Sequence, residues 1–119
     1  MPEVIFAGPE GRLEGRYQRG AGENPPVALI LHAHPLFGGT MNNRAVYELY
    51  NMFLRRGFSV LRFNFRGVGR SVGESDQGQG ELADAATALD FLQQLNPNAP
   101  FAWVGGFSFG AWIGMQLLM

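Results

Sequence analysis

Three short apolar runs constrain this chain more than anything else in it: "VALILHAH" from 27 to 34, "FSVLRFNF" from 58 to 65 and "FAWVGG" from 101 to 106. Between consecutive runs, apolar residues recur at helical spacing. Val46, Leu49, Tyr50, Phe53 and Leu54 share one helical face, with Gly57 placed as the stop. Leu82, Ala85, Ala86, Leu89 and Leu92 share another, ended by Asn96-Pro97. Strands that are apolar along their length are buried on both faces. Where they alternate with helices, they assemble into a mostly parallel sheet with right-handed crossovers and helices on both faces. The apolar "FGAWIGMQLLM" starts a third helix, expected deep in the cover of that sheet.

Ahead of this alternation, "EVIFAG" and "RLEGRYQRG" flank the turn residues Gly8-Pro9-Glu10-Gly11. Leu13, Gly15 and Tyr17 alternate with Arg12, Glu14 and Arg16, a period of two that predicts an antiparallel edge hairpin with one wet face. The fold class is therefore α/β, a mostly parallel sheet with an N-terminal antiparallel hairpin. A length of 119 residues allows one domain, residues 1–119, and a real core.

Bulk properties exclude several functions. A net charge of −1 offers no basic footprint for nucleic acid. With no cysteine there is no disulfide, thiolate metal site or Cys nucleophile. The N-terminus lacks the plan of a signal peptide, and the closing apolar run is far short of the ~20 residues of a membrane span. A soluble cytoplasmic protein without membrane contact is expected. His32 and His34 are the sole imidazoles, too few with the scattered acids to build a metal site, so neither metal nor cofactor is expected. Glu74, Asp76, Glu81 and Asp84 read as a solvated loop and helix start, where carboxylates suit the helix dipole.

The pattern G-x-S-x-G occurs twice, at Gly69–Gly73 and at Gly106–Gly110. A nucleophile elbow needs a strand entering and a helix leaving, so that a strained turn lifts the serine above the sheet edge. Small residues two before and two after the serine relieve the crowding. Ser108 has that context: "FAWVG" enters, "AWIGMQLL" leaves, and Gly106 and Gly110 flank it. Ser71 is followed by loop and reads as a turn hydroxyl bonded to backbone. At such an elbow the amide of Phe109 faces a developing oxyanion. A second donor must come from the loop after a neighbouring strand. "HAHPLFGG" is placed for this: Leu36 is the candidate amide, Pro35 has no N–H, and Gly38 and Gly39 let backbone approach a ligand closely. Phe37, Phe107, Phe109 and Trp112 around this point suit an apolar acyl or aromatic substrate.

His34-Pro35-Leu36-Phe37-Gly38-Gly39, Asn64-Phe65-Arg66-Gly67-Val68-Gly69-Arg70-Ser71 and Gly106-Phe107-Ser108-Phe109-Gly110 fall in an order and spacing that resembles the α/β hydrolases. The resemblance is strongest to a small bacterial branch near the dienelactone-hydrolase-like and serine-aminopeptidase-like members, and it runs from residue 3 to the end. It implies a serine hydrolase of carboxylic esters or amides working through an acyl-enzyme. His34 takes the role of organising the oxyanion loop rather than of base. Many relatives carry Asp at the position of Asn64 and Gly at that of Pro35. In this fold the acid and then the base follow the nucleophile. Neither Asp, Glu nor His occurs after Ser108, so the chain resembles the N-terminal half of a C-terminally truncated hydrolase and is expected to be nearly inactive by itself. The alternative is a non-catalytic module for binding or oligomerisation. In either case the strand before the elbow lacks its usual neighbour, and a second copy or a C-terminal segment is expected to cover it.

Overall fold

The computed structural model describes residues 3–34, 39–75, 78–106 and 109–117. Strand β1 (Glu3–Gly8) and strand β2 (Gly11–Gln18) form the antiparallel hairpin, with Phe6 opposite Leu13. Strand β3 (Val27–Leu31), helix α1 (Arg44–Arg55), strand β4 (Ser59–Phe63), helix α2 (Gln79–Leu95), strand β5 (Ala102–Gly106) and helix α3 (Phe109–Leu117) then alternate. The sheet has five strands in the order β1-β2-β4-β3-β5. β4 and β5 both run parallel to β3, and β2 runs antiparallel to β4.

This order explains the layers. The step from β3 to β4 goes one way along the sheet, and the step from β4 to β5 goes back past β3. Right-handed crossovers in opposite directions place their helices on opposite faces. Leu29, Leu31, Leu61 and Phe63 accordingly pack with Ala85, Ala88, Leu92 and Ile113 of α2 and α3. Ala28, Ile30 and Val60, pointing the other way, pack with Val46, Tyr50 and Phe53 of α1. α1 begins where the Asn43 side chain accepts from the Ala45 N–H at 2.9 Å, and Gly57 follows it at φ +87°.

Several expectations need correction. Glu14 is not on a wet face: it is buried, and its carboxylate accepts from Asn64 Nδ2 at 2.8 Å and from the Arg70 N–H at 2.7 Å. Glu81 and Asp84 are not solvated; both are fully buried. Their positions on α2 share the face of Ala85, Ala88 and Leu92, while Ala86 is exposed because it sits a third of a turn off that face. β5 is not buried on both faces. Trp103 is 55% exposed, because β5 pairs only with β3 among the described residues. α3 is not sunk in the cover: Gly110, Ile113 and Gly114 are buried, but Trp112 and Met115 are 50% and 66% exposed. One packed face is all that a helix at the margin of the described sheet can bury.

One buried cation has no acidic partner among the described residues. Arg62 of β4 donates from Nη1 to the Met41 carbonyl at 2.7 Å and to Asn42 Oδ1 at 2.9 Å. Its guanidinium carbon lies 4.8 Å from the Tyr50 ring centroid and 5.3 Å from that of Tyr47, so aromatic faces stand in for a carboxylate. No helix among the described residues is long and apolar enough to cross a membrane.

Candidate active site

In open α/β sheets, ligands bind beyond the carboxyl ends of the strands where the strand order reverses. Here that point is β3, flanked by β4 and β5. Three loops leave the sheet there: the one after β3, the Arg66–Ser75 loop after β4, and the turn from β5 into α3.

Where β5 gives way to α3, the backbones on either side approach closely. A Cβ built on Gly106 would lie 2.6 Å from the carbonyl carbon of Gly110 and 2.8 Å from the amide nitrogen of Ala111. One on Gly110 would lie 2.5 Å from the Leu31 carbonyl oxygen and 2.6 Å from that of His32. Those atoms are backbone and have no rotamer by which to give way. Any side chain at either position would push α3 off the end of the sheet. Phe109, the first residue of α3, is half-buried, its ring edge-on to His34 at 4.7 Å and to Phe65 at 5.8 Å. Trp112 continues this aromatic row at 6.1 Å from Phe109.

The loop after β3 closes on itself. The Gly39 N–H donates to the His34 carbonyl at 3.2 Å, and a Cβ on Gly39 would overlap the Ala33 carbonyl. His32 lies fully buried just past the last paired residue of β3. Its Nε2 accepts from the Phe65 N–H at 3.0 Å, and its Nδ1 stands 2.6 Å from the Ala33 carbonyl oxygen. Burial holds its proton affinity below that of an ordinary imidazole, and nearby His34 adds to that; the Ala33 carbonyl and Glu81 oppose it.

The loop after β4 is held from below. Arg66 and Asp84 pair through the Nε–Nη2 edge of the guanidinium, and the Ser71 hydroxyl donates to the Asn64 carbonyl at 2.6 Å while accepting from the Glu14 N–H at 3.0 Å. Ser71 thus bonds backbone, as its loop context predicts, but that of Glu14 in β2 and of Asn64 just past β4 rather than of its own turn. Glu81 accepts from the Gly78 N–H at 3.1 Å and from the Ser75 hydroxyl.

The geometry therefore brings His34, Gly39, Gly106, Phe109 and Gly110 to one end of the sheet. Ser108, Leu36 and Gly38 lie outside the described residues, as do Phe37, Phe107 and Asp76. What the sequence reading missed is the pair of buried acids beneath the site. Their signal was present: Glu81 and Asp84 precede Ala85, Ala88 and Leu92 on one helical face. Among the described residues, no three His, Asp or Glu side chains gather as metal ligands would.

Comparison with known proteins agrees with this architecture. A solved structure from Agrobacterium tumefaciens, a protein of unknown function considered an alpha/beta hydrolase, superposes with a TM-score of 0.97 at 64% identity, covering 99% of this chain and 54% of that one. An alpha-beta serine hydrolase homologue from Coxiella burnetii superposes with a TM-score of 0.90 at 38% identity over 98% of this chain and 56% of its own. An uncharacterized protein of Rickettsia prowazekii is 57% identical over 119 residues, all of this chain and 50% of that protein. The chain thus spans about half the length of each of these relatives. With residues 28–119 matched by the family model for the alpha/beta hydrolase fold, the chain belongs to the alpha/beta hydrolase family.

Proposed function

We propose that this chain carries the nucleophile half of a serine hydrolase of carboxylic esters or amides. In this reading the Ser108 hydroxyl attacks the substrate carbonyl and passes its proton to a base. The amides of Phe109 and Leu36 hold the oxyanion. The leaving alcohol or amine takes the proton, and water then hydrolyses the acyl-enzyme. The acid and base come from a stretch corresponding to the half of the relatives that this chain does not span. Phe109 and Trp112 suit an apolar acyl or aromatic group.

The observation that carries the proposal is the double steric exclusion at Gly106 and Gly110. A strand and a helix joined this closely across an intervening serine are the setting in which that serine becomes a nucleophile. The test is a fluorophosphonate probe applied to the natural full-length protein. Labelling at Ser108, lost in Ser108→Ala and kept in Ser71→Ala, is expected. An unlabelled full-length protein, or one still labelled in Ser108→Ala, would sink the proposal.

A second reading is a binding or oligomerisation module. It is favoured by the exposed apolar side chains at β5 and on α3, the helix that follows it, where Phe101, Trp103 and Met115 are each half or more exposed. A partner strand, from a second copy or from further chain, would cover them. Sedimentation velocity separates the two sources, since only the first depends on concentration.

A further inference from the structure

Past the last paired residue of β3 the chain enters the turn that carries the candidate oxyanion amide, and His32 stands at that departure point. We infer that His32 is a positioning residue for this turn: a neutral ring, protonated on Nδ1, that fixes the Ala33 peptide by bonding to both its carbonyl and the end of β4. The inference rests on the serine-hydrolase reading above and names a residue that the reading itself does not use.

The two contacts determine one proton arrangement. A backbone N–H can only donate, so Nε2, 3.0 Å from the Phe65 nitrogen, is the acceptor. A neutral ring then keeps its single proton on Nδ1, which donates to the Ala33 carbonyl at 2.6 Å. Each contact requires the tautomer that the other requires. Burial of the ring, edge-on to Phe65 at 4.8 Å, keeps the proton-poor form in place.

Three pieces of the site meet at this residue. The Ala33 carbonyl is also the group against which Gly39 packs when the turn returns. The carbonyl of His32 itself is a group against which Gly110 packs in the first turn of α3. The Phe65 N–H belongs to the segment that ends β4 and enters the Arg66–Ser75 loop. A shift of the His32 ring therefore moves the Ala33 peptide and Gly39 relative to the first turn of α3. Misplacements of about 1 Å in such a site cost up to about a hundredfold in rate.

Two amide side chains divide the clamp in half. In His32→Asn the side-chain nitrogen stands near the place of Nδ1 and keeps the Ala33 bond. In His32→Gln the side-chain oxygen stands near the place of Nε2 and keeps the Phe65 bond. Each loses one bond, so a purely structural role predicts similar losses of stability and of rate. Positioning predicts a split. In the full-length protein, Ser108 phosphonylation by a fluorophosphonate should slow by about tenfold or more in His32→Gln and by less than about threefold in His32→Asn, with both unfolding cooperatively in urea. The ring's own state is read by 15N NMR at pH 7, where a protonated Nδ1 and a bare Nε2 are expected. Equal rates in the two variants, or a ring protonated on Nε2, would overturn the inference. An unlabelled wild-type protein with the expected ring state would instead overturn the hydrolase reading and leave the clamp as a scaffold bond alone.

Discussion

Arg66 holds Asp84 through the Nε–Nη2 edge of its guanidinium, with Nε 3.1 Å from Oδ2 and Nη2 2.9 Å from Oδ1, and its main-chain N–H adds a third bond to Oδ2 at 3.0 Å. Both side chains are buried, at 5% and 0% exposure. The pair pins the loop after β4 to the first turns of α2, under the candidate site. Glu10 reaches Arg66 only at 3.5 Å and from a largely exposed position, so it is a weak substitute. Asp84→Ala removes three bonds to Arg66 beneath the site and should cost about 3–5 kcal/mol in urea unfolding of the full-length protein. Replacing both partners, Arg66→Met with Asp84→Leu, should cost far less than either change alone, because two apolar side chains then fill the place of the buried pair. Additive losses in that double-mutant cycle would show that the pair is not coupled.

Adjacent glycines at the end of β5 should behave in opposite ways. A Cβ on Gly105 would meet Leu49 Cδ1 at 3.5 Å and Ile30 Cδ1 at 3.6 Å, ordinary contact distances. Gly105→Ala should therefore be neutral or stabilise by up to about 1 kcal/mol through the entropy of the unfolded chain. On Gly106 the same methyl meets immovable backbone at 2.6 Å. Gly106→Ala should displace the start of α3, lower the thermal midpoint and abolish probe labelling. Labelling of Gly106→Ala at the wild-type rate would remove the observation on which the proposed function stands.

The second G-x-S-x-G serine makes a structural prediction. The Ser71 hydroxyl satisfies the Asn64 carbonyl and the Glu14 N–H together, both buried. Ser71→Ala leaves the two groups without that partner and should cost about 1–3 kcal/mol of stability. Probe labelling at Ser108 should be unchanged in rate under native conditions. A loss of labelling without a loss of stability would reverse the assignment of the two motifs.

The order of elements could be read from the sequence because each depends on local period. A helix of period 3.6 and a strand of continuous apolar residues show themselves within a dozen positions. The three loops that meet at the site were legible for a related reason: glycine and histidine there answer to tight backbone geometry, as Gly39, Gly106 and Gly110 illustrate. Buried charges were not legible. Whether Asp84 or Glu14 faces water depends on Arg66, 18 positions away, and on Asn64, 50 positions away. Local pattern carries nothing about such partners, and composition assigns every carboxylate to the surface. The uncovered edge of β5 was legible from the order of the motifs, but the bare faces of Trp103 and Met115 were not, because an apolar run does not say which side chains stand at the margin.

Acid should loosen this fold through His32. Burial lowers the proton affinity of its ring below the ordinary imidazole value of about 6.5, outweighing the opposing pulls of the Ala33 carbonyl and of Glu81, while His34 acts in the same direction as burial. A native group that resists protonation contributes its full stability above the unfolded value. As pH falls below about 6.5, the unfolded chain binds a proton that the native chain refuses, and stability declines by at most about 1.4 kcal/mol per pH unit until the native ring protonates too. Protonation of the native ring would also turn Nε2 into a donor facing the Phe65 N–H, so the clamp would open. Urea midpoints of the full-length protein between pH 8 and pH 5 check this. The wild-type protein should exceed His32→Asn by a margin that is constant above about pH 7 and narrows below it. Parallel pH profiles for the two would assign the acid sensitivity to other groups.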